Sequence, residues 1–246
     1  MPIMSNADDE TFKSGSGFQF SGAKLAKLGA SEYTLVGLAC DMSGSVGRFA
    51  KEIEGCLVGS VEGCQKSPRA DNLLARLITF NTTVEEQHGF RPLADCHLAK
   101  YDGIIKPGGC TVLCDASVNL IGSLATYGKQ LIKNDFQANG ILVVITDGMD
   151  EGSTLTAAAV KKAMEEARMS ESLESLVSIL IGINVNHPTV SNYLNRFKDE
   201  AGFDQYIEAK DASAKTFAKV AGFISKSVSS QSQSLGTGGA SQPITF

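Results

Sequence analysis

The stretch LACDMSGSVGRF, residues 38–49, passes from an apolar run directly into the pattern Asp-x-Ser-x-Ser, formed by Asp41, Ser43 and Ser45. The apolar run itself, EYTLVGLAC, is short, rich in β-favouring residues and bounded by polar residues, so it predicts a strand buried on both faces. One carboxylate and two hydroxyls therefore stand at the mouth of this strand. Gly44 gives the loop the backbone freedom to point their oxygens into one small volume.

Two interpretations of this pattern stay open at this point. Oxygen-only ligands suit a hard cation, above all Mg2+, which takes an octahedral set of oxygens and keeps some of its waters. Alternatively, Ser43 or Ser45 only caps the helix that follows, a role that serine fills well.

Strands and helices alternate along the rest of the chain. Apolar residues recur at spacings of three and four between residues 46 and 61, which predicts an amphipathic helix. Further strands are predicted at residues 72–80, 82–93, 140–148, 175–184 and 203–209, and further helices at residues 110–136, 154–169, 188–203 and 212–230. The strand at 82–93 is expected to be antiparallel. This order predicts a three-layer, doubly wound α/β fold with a mostly parallel central sheet, one antiparallel edge strand and helices on both faces.

We predict one α/β domain over residues 31–228. Residues 1–30 are expected to form a partly flexible N-terminal extension. Some of its apolar side chains could still pack against the domain: Phe18, Phe20 or Leu25. Residues 229–246 are rich in Ser, Gly and Gln, which predicts a flexible C-terminal tail.

Composition and charge narrow the classes of function. With 43% hydrophobic and 20% charged residues, the 246-residue chain can bury a full core. A net charge of −5 argues against a nucleic-acid-binding surface, which normally carries a basic excess. No apolar run approaches the ~20 residues that span a bilayer, and the polar N-terminus is unlike a signal peptide, so we expect a cytoplasmic protein without a membrane partner. The six cysteines lack paired zinc-ligand spacing and are expected to be reduced.

Two further segments carry polar residues at predicted junctions. In KPGGCTVLCDA, a Gly-Gly pair presents Thr111 just before a helix; the alternative is that Thr111 is the N-cap and Asp115 favours the helix dipole. In VVITDGMDEGS, Asp147 follows a strand that should lie beside the first one; the alternative is a simple Asp-Gly turn. Ligands of such sheets bind beyond the carboxyl ends of the strands, where Asp41 and Asp147 would face each other.

The order of these three segments resembles the von Willebrand factor A (vWA) domain family. The metal-ion-dependent adhesion site (MIDAS) of that family consists of Asp-x-Ser-x-Ser, a later Thr and a later Asp-Gly. GGCTVLCDA also resembles the Gly-Gly-Thr-x-Leu-x-Asp-Ala run of bacterial members, from which it departs by Cys110 between the glycines and the threonine. The resemblance covers roughly residues 33–227. It implies Mg2+, or alternatively Mn2+ or Ca2+, bound at Asp41, Ser43, Ser45, Thr111 and Asp147.

The resemblance also implies how these residues act. In the family, Ser and Thr hydroxyls typically contact the metal and the aspartates often act through water, so Asp41 and Asp147 would hold waters here. Neutral inner ligands leave the cation attractive to an Asp or Glu of a protein partner. The implied protein is a metal-dependent protein–protein interaction module and not an enzyme. It would be an intracellular bacterial or phage-type member of a multi-protein assembly, for example beside an AAA+ ATPase.

Two other classes of function stay open. A metal-dependent phosphohydrolase could use the acidic cluster of Asp41, Asp147 and Asp150. Such an enzyme usually needs a general base near the metal, and of the three histidines only His187, which follows a predicted strand, has a suitable position. A structural assembly protein could instead use the metal for stability alone.

Overall fold

The computed structural model describes residues 2–5, 9–15 and 17–237 of the chain. These residues form one mixed sheet with helices on both faces, which confirms the predicted α/β class. The strands are β1 (Asp9–Lys13), β2 (Gln19–Ala23), β3 (Glu32–Asp41), β4 (Leu73–Phe80), β5 (Val84–Pro92), β6 (Gln137–Thr146), β7 (Leu176–Ile183) and β8 (Gln205–Ala209). The helices are α1 (Ala50–Gln65), α2 (Leu113–Ile132), α3 (Ala157–Met169), α4 (Pro188–Ala201) and α5 (Ala214–Thr237).

The strands lie in the order β1-β2-β5-β4-β3-β6-β7-β8. β4, β3, β6, β7 and β8 are mutually parallel, and β5 runs antiparallel to β4 as predicted. β5 is not the edge strand that was expected, because β2 and β1 lie beyond it. The chain continues from β3 to β4 on one side of β3, while β6 lies on its other side. The sheet therefore changes direction at β3, and ligands of doubly wound sheets bind at the carboxyl ends of the strands at such a point.

Different helices cover the two faces of the sheet. Successive strand residues point to opposite faces, so Val36 and Leu38 pack in one core and Leu35 and Ala39 in the other. The first core also receives α1 and α5, and the second receives α2, α3 and α4. β3 and β6 are buried along almost their whole length, as expected for central parallel strands.

The strands β1 and β2, which the sequence pattern does not predict, extend the sheet beyond β5. A partly buried network attaches β2: the Glu86 carboxylate accepts hydrogen bonds from the Ser21 amide (3.0 Å), the Ser21 hydroxyl (2.7 Å) and Arg76 Nε (2.8 Å). Gly89 permits this approach, because a Cβ atom there would lie 2.0 Å from the Ser21 carbonyl oxygen. The extra strands thus depend on contacts between residues far apart in the sequence.

The domain boundaries stay a prediction, and several elements lie outside the range 31–228. β1 and β2 fall within the predicted extension, where Phe20 is buried and Phe18 and Leu25 are partly buried. α5 continues to Thr237, inside the predicted tail. Half of the predicted flexible tail, residues 238–246, lies outside the described residues. The same holds for residues 1, 6–8 and 16 of the extension.

The structure also bears on the pairing of the cysteines and on whether a helix could cross a membrane. All six cysteines are unpaired, and five of them are buried. Within the part of the chain that the structure describes, no helix combines the length and the apolar character needed to cross a bilayer.

Helices α1 and α5 approach closely along a row of glycines on α1. A Cβ atom at Gly63 would lie 2.7 Å from Ser225 Cβ, and one at Gly59 would lie 3.2 Å from Ala221 Cβ. At Gly55, one turn earlier than Gly59, a Cβ atom would meet no atom within 4 Å. Glycine within a helix is about 0.5–1 kcal/mol less favourable than alanine. The contact with α5 accounts for glycine at Gly59 and Gly63 but not at Gly55.

Gly63→Ala is expected to lower the free energy of unfolding by about 1–2 kcal/mol. Overpacking against Ser225 costs about 1–3 kcal/mol, and the better helix propensity of alanine offsets part of it. Gly55→Ala, the matched control in the same helix, is expected to raise the free energy of unfolding by up to about 1 kcal/mol. Urea unfolding followed by circular dichroism measures both, and effects of equal sign and size would contradict the close contact.

Candidate metal-ion site

The five predicted ligands meet at the carboxyl edge of the sheet and come from three loops. Asp41 is the last residue of β3. Ser43 precedes the short 3-10 turn Gly44–Arg48 and Ser45 lies within it, so α1 begins only at Ala50 and not near residue 46. Thr111 lies two residues before α2 begins, and Asp147 directly follows β6. The structure therefore brings together all the residues that the motif selects.

The Asp41 carboxylate is buried, with 1% of the residue exposed, and both of its oxygens accept hydrogen bonds. Oδ1 accepts from the Ser43 backbone N–H (2.7 Å), and Oδ2 accepts from the Thr146 hydroxyl (2.6 Å). The Thr146 oxygen in turn accepts from the Gly148 N–H (3.2 Å). One threonine thus ties the end of β3 to the turn after β6.

The two serine hydroxyls form a chain that leads to Asp147. Ser45 Oγ donates to Asp147 Oδ1 at 2.7 Å, and the Ser43 and Ser45 oxygens lie 3.1 Å apart. Because the Ser45 hydrogen goes to Asp147, Ser43 is the donor to Ser45. Ser43 is buried, whereas Ser45 is exposed and Asp147 half-buried, so the cluster opens to solvent on the side of Ser45 and Asp147.

Thr111 contributes a hydroxyl that has no hydrogen-bond partner in the described part of the chain. The residue is 4% exposed, and its Oγ1 would lie 3.8 Å from a Cβ atom at Gly148. Its hydroxyl forms no hydrogen bond with any residue that the structure describes. The Thr111 carbonyl oxygen, by contrast, accepts from the N–H groups of Glu151 (2.9 Å) and Gly152 (3.2 Å). The backbone fixes this residue and leaves its side chain available.

Main-chain contacts join the first two loops. The Gly44 N–H donates to the Gly109 carbonyl (3.2 Å), and the Gly108 N–H donates to the Met42 carbonyl (3.0 Å). Gly109 has a φ of 75°, and a Cβ atom there would lie 2.3 Å from Thr82 Oγ1. Only glycine fits both the left-handed backbone and this close approach, which explains Gly109; at Gly108 a Cβ atom would meet no atom within 4 Å.

The capping alternatives are wrong for two of these residues. Ser43 precedes the 3-10 turn Gly44–Arg48, but its side chain makes no capping hydrogen bond. Val112, and not Thr111, is the N-cap residue of α2. Neither hydroxyl forms a capping hydrogen bond at a helix end, so both are available to the candidate metal site.

The N-terminus of α2 is capped by the loop that follows β6, a contact that was not predicted from the sequence. Asp150 Oδ1 accepts from the Cys114 N–H (3.1 Å), and Ser153 Oγ accepts from the N–H groups of Cys114 (3.0 Å) and Asp115 (3.2 Å). Asp115, expected to favour the helix dipole, also accepts from the Leu155 N–H (2.9 Å). No local pattern signals these contacts, because they join residues 36 to 40 positions apart.

Burial dominates the ionisation of the two site carboxylates. It raises the pKa of Asp41 from 3.8 to about 6, against the opposing effect of the hydrogen bonds from Thr146 and Ser43. The negative charge of Asp147 raises the Asp41 pKa further, and burial also raises the pKa of Asp147. Both carboxylates therefore carry charge that the protein alone compensates poorly, and a nearby cation would lower both pKa values.

The donor set fits a hard divalent cation. Mg2+ holds oxygens at ~2.1 Å in an octahedron, which places neighbouring ligand oxygens about 3.0 Å apart. The Ser43 and Ser45 oxygens, 3.1 Å apart, have this separation. Within residues 2–5, 9–15 and 17–237, no three His, Cys, Asp or Glu side chains form a group that could hold a metal ion. A cation at this edge would therefore depend on hydroxyl oxygens.

The sheet order and the three loops at its carboxyl edge define a vWA-like α/β domain. Solved structures with this fold include a mutant of the PilB minor pilin from Streptococcus sanguinis, with 14% identity and a TM-score of 0.61 over 91% of this chain and 67% of that one. A second is the pilus adhesin SpaC from Lactobacillus rhamnosus GG in its open conformation, with 11% identity and a TM-score of 0.59 over 86% of this chain. A third is proximal thread matrix protein 1 from the mussel byssus with a zinc-occupied MIDAS motif, with 14% identity and a TM-score of 0.58 over 82% of this chain.

These likenesses concern the fold alone, because the identities are low. The chain spans 31% of the SpaC adhesin and 47% of the mussel protein. No protein-family model matches the chain, and no curated protein matches it in sequence.

The raised pKa of Asp41 predicts a pH dependence of stability in the metal-free protein. The folded-state pKa of about 6 lies above the ordinary value of 3.8, so the folded state holds this proton more tightly than the unfolded state. The resulting stabilisation is full below about pH 4 and is lost as the pH rises through about 6. A difference of about two pKa units corresponds to about 3 kcal/mol.

Asp41→Asn isolates this contribution, since its amide stays neutral and can donate to the Thr146 hydroxyl. In the presence of a chelator, the variant is expected to be more stable than the parent above about pH 6, and the two free energies should converge near about pH 4. Urea unfolding of both proteins across this range is the measurement. A difference that does not change with pH would contradict the burial effect on Asp41.

Proposed function

We propose that this protein is a metal-dependent protein–protein interaction module that binds Mg2+, or alternatively Mn2+ or Ca2+, through Ser43, Ser45 and Thr111. The observation that carries the proposal is the Thr111 hydroxyl, which belongs to a buried residue, lies beside the turn that follows Asp147 and has no partner among the described residues. The Thr111 oxygen is not one of the fully buried unpartnered atoms in the described part of the chain, so solvent or an ion can reach it. A cation at this point would supply the missing interaction.

Asp41 and Asp147 would act around the cation by holding waters and orienting the hydroxyls. Both Asp41 oxygens already accept hydrogen bonds, and Asp147 already accepts from Ser45. The inner ligands are neutral, so the bound cation would keep most of its charge and attract a carboxylate from outside. The exposure of Ser45 supports access for an Asp or Glu of a protein partner.

The structural neighbours support a binding role. PilB is a minor pilin, SpaC is a pilus adhesin, and the mussel protein carries zinc in its MIDAS motif. The zinc in that protein is a reason to include Zn2+ among the cations tested. An AAA+ ATPase as the partner, a cytoplasmic location and a bacterial or phage origin stay predictions that rest on the family resemblance.

We propose a binding module in preference to a phosphohydrolase because the acidic cluster is divided. Asp150 is bound to the N-terminus of α2, away from the hydrogen bonds that connect Asp41 and Asp147 through the serines. His187 accepts a hydrogen bond from the Thr189 N–H (3.3 Å) at the start of α4. Turnover of generic phosphoesters in Mg2+ or Mn2+ that disappears in Asp41→Asn would favour the enzyme instead.

Thr111→Val is expected to weaken Mg2+ or Mn2+ binding about tenfold or more, since even outer contacts of metal sites contribute that much. The same change is expected to leave the stability of the chelator-treated protein unchanged or slightly higher, because the hydroxyl that it removes has no partner among the residues that the structure describes. Calorimetric titration and urea unfolding give the two readouts.

Thr79→Val is the matched control, because this buried hydroxyl accepts a hydrogen bond from Gln87 Nε2 (2.8 Å) within the sheet. It is expected to cost about 1–3 kcal/mol of stability and to leave metal affinity unchanged. Metal binding that survives in Ser43→Ala/Ser45→Ala as well as in Thr111→Val would contradict the assigned ligands. A cation that raises the melting temperature without affecting partner binding would favour the structural assembly protein.

A further inference from the structure

The turn between β4 and β5, residues 81–83, holds the loop that carries Thr111. That loop, residues 108–112, is called the Thr111 loop below. The Asn81 carbonyl oxygen accepts a hydrogen bond from the Val112 N–H (2.9 Å), and Thr82 Oγ1 accepts one from the Cys110 N–H (3.2 Å). The neighbours of Thr111 on both sides are therefore bound to this turn. β4 pairs with β3 as well as with β5, so the turn extends from an internal part of the sheet.

The same turn is closed upon itself and is tied to the loop that leaves β3. The Asn81 N–H donates to the Thr83 carbonyl (3.0 Å), and Asn81 Oδ1 accepts from the Thr83 N–H (3.2 Å). Directly before the turn, the Phe80 carbonyl accepts from the Met42 N–H (2.8 Å). The β4–β5 turn thus connects the loop of the two serines with the Thr111 loop.

One side chain takes part in fastening the Thr111 loop. Among the hydrogen bonds that described residues make with the backbone of residues 108–112, the one from the Cys110 N–H to Thr82 alone ends on a side chain. The others join main-chain atoms, so a change of side chain leaves them in place. Thr82 Oγ1 also lies close to Gly109, where a Cβ atom would be 2.3 Å from it. Thr82 is therefore the position at which the fastening can be altered.

The fastening of the Thr111 loop bears on which cation fits. Mg2+ requires a near-octahedral set of oxygens at about 2.0–2.1 Å, whereas Ca2+ accepts six to eight oxygens at about 2.3–2.6 Å in a flexible arrangement. Selectivity between the two ions thus depends on how freely the ligands can move. Ser43 and Ser45 lie on one loop and Thr111 on another, so the hold on the second loop limits how far the hydroxyls can separate.

We propose that Thr82 is a positioning residue that makes the site selective for Mg2+ over Ca2+, because it holds the Thr111 loop at the separation that the smaller ion requires. This inference rests on the proposed function, since it presupposes a cation at the three hydroxyls. Without the Thr82 hydroxyl, the exposed Cys110 N–H bonds to water instead. The loop then gains a freedom that Ca2+ tolerates and Mg2+ does not.

Thr82→Val removes the hydroxyl and keeps the branched shape of the side chain. In calorimetric titrations of the full chain, the variant is expected to bind Mg2+ about tenfold more weakly, the size of effect that outer contacts of metal sites have. Its Ca2+ affinity is expected to fall by less than about twofold, so the ratio of the Mg2+ affinity to the Ca2+ affinity falls about fivefold or more. Thr82→Ser retains the hydroxyl and is expected to retain the parent ratio.

Amide hydrogen exchange in the chelator-treated protein, followed by NMR, tests the fastening without any metal. Thr82→Val is expected to speed exchange of the Cys110 amide about fivefold or more, because local opening no longer breaks a hydrogen bond there. The Val112 amide, which is bound to the Asn81 carbonyl, is expected to exchange as in the parent. Equal exchange of the Cys110 amide in variant and parent would overturn the hold of Thr82 on the loop.

Thr83→Val is the matched control, because Thr83 is exposed in the same turn and its hydroxyl forms no hydrogen bond with a described residue. It is expected to retain the parent ratio of affinities. A ratio that is unchanged in Thr82→Val, or that falls equally in Thr83→Val, would overturn the role of Thr82 and leave the proposed function standing. A parent protein that binds none of the cations would refute the proposed function and this inference with it.

Discussion

The hydrogen bond from Thr146 to Asp41 is the contact on which the candidate site depends. It joins two residues that are 105 positions apart, and it exists because β3 and β6 pair in parallel almost to their carboxyl ends. A buried carboxylate needs donors from its surroundings, and Asp41 receives them from the neighbouring strand and from the Ser43 backbone. The serines are placed by the turn that leaves β3, and Asp147 by the turn that leaves β6. Without this hydrogen bond between the ends of β3 and β6, the two turns could not hold their oxygens close to each other.

The central part of the fold is readable from the sequence because each of its elements has a strong local pattern. β3, β4, β6 and β7 are continuous apolar runs, and the helices between them have amphipathic spacing. β1 and β2 lack such runs, and what attaches β2 is the contact of Ser21 with Glu86, 65 residues away. That contact also needs the absence of a side chain at Gly89. A pattern of local hydrophobicity contains neither fact, which is why these strands stand inside the predicted extension.

The candidate site likewise has some features that a local sequence motif reveals and others that depend on contacts between residues far apart in the chain. The motif selects the residues that meet at the sheet edge, because their types and their positions after predicted strands are visible in the sequence. Their capacity to bind a cation stays a prediction. The role of Asp150 was not visible, because its proximity to Asp147 in the sequence suggested one acidic cluster. Its side chain instead satisfies the Cys114 N–H, a helix-end donor whose need for a partner becomes apparent only once α2 has a defined start.

The loops around the site are fastened to one another largely through main-chain atoms. The carbonyl oxygens of Met42, Gly109 and Thr111 accept from N–H groups of neighbouring loops. Such fastening does not depend on which side chains the loops display, apart from Gly109, where a side chain would collide with Thr82. These loops are consequently a scaffold for redesign. Imidazole or thiolate groups introduced at Ser45 and Thr111 would convert an oxygen-only set into one for softer metals, with the supporting backbone already built.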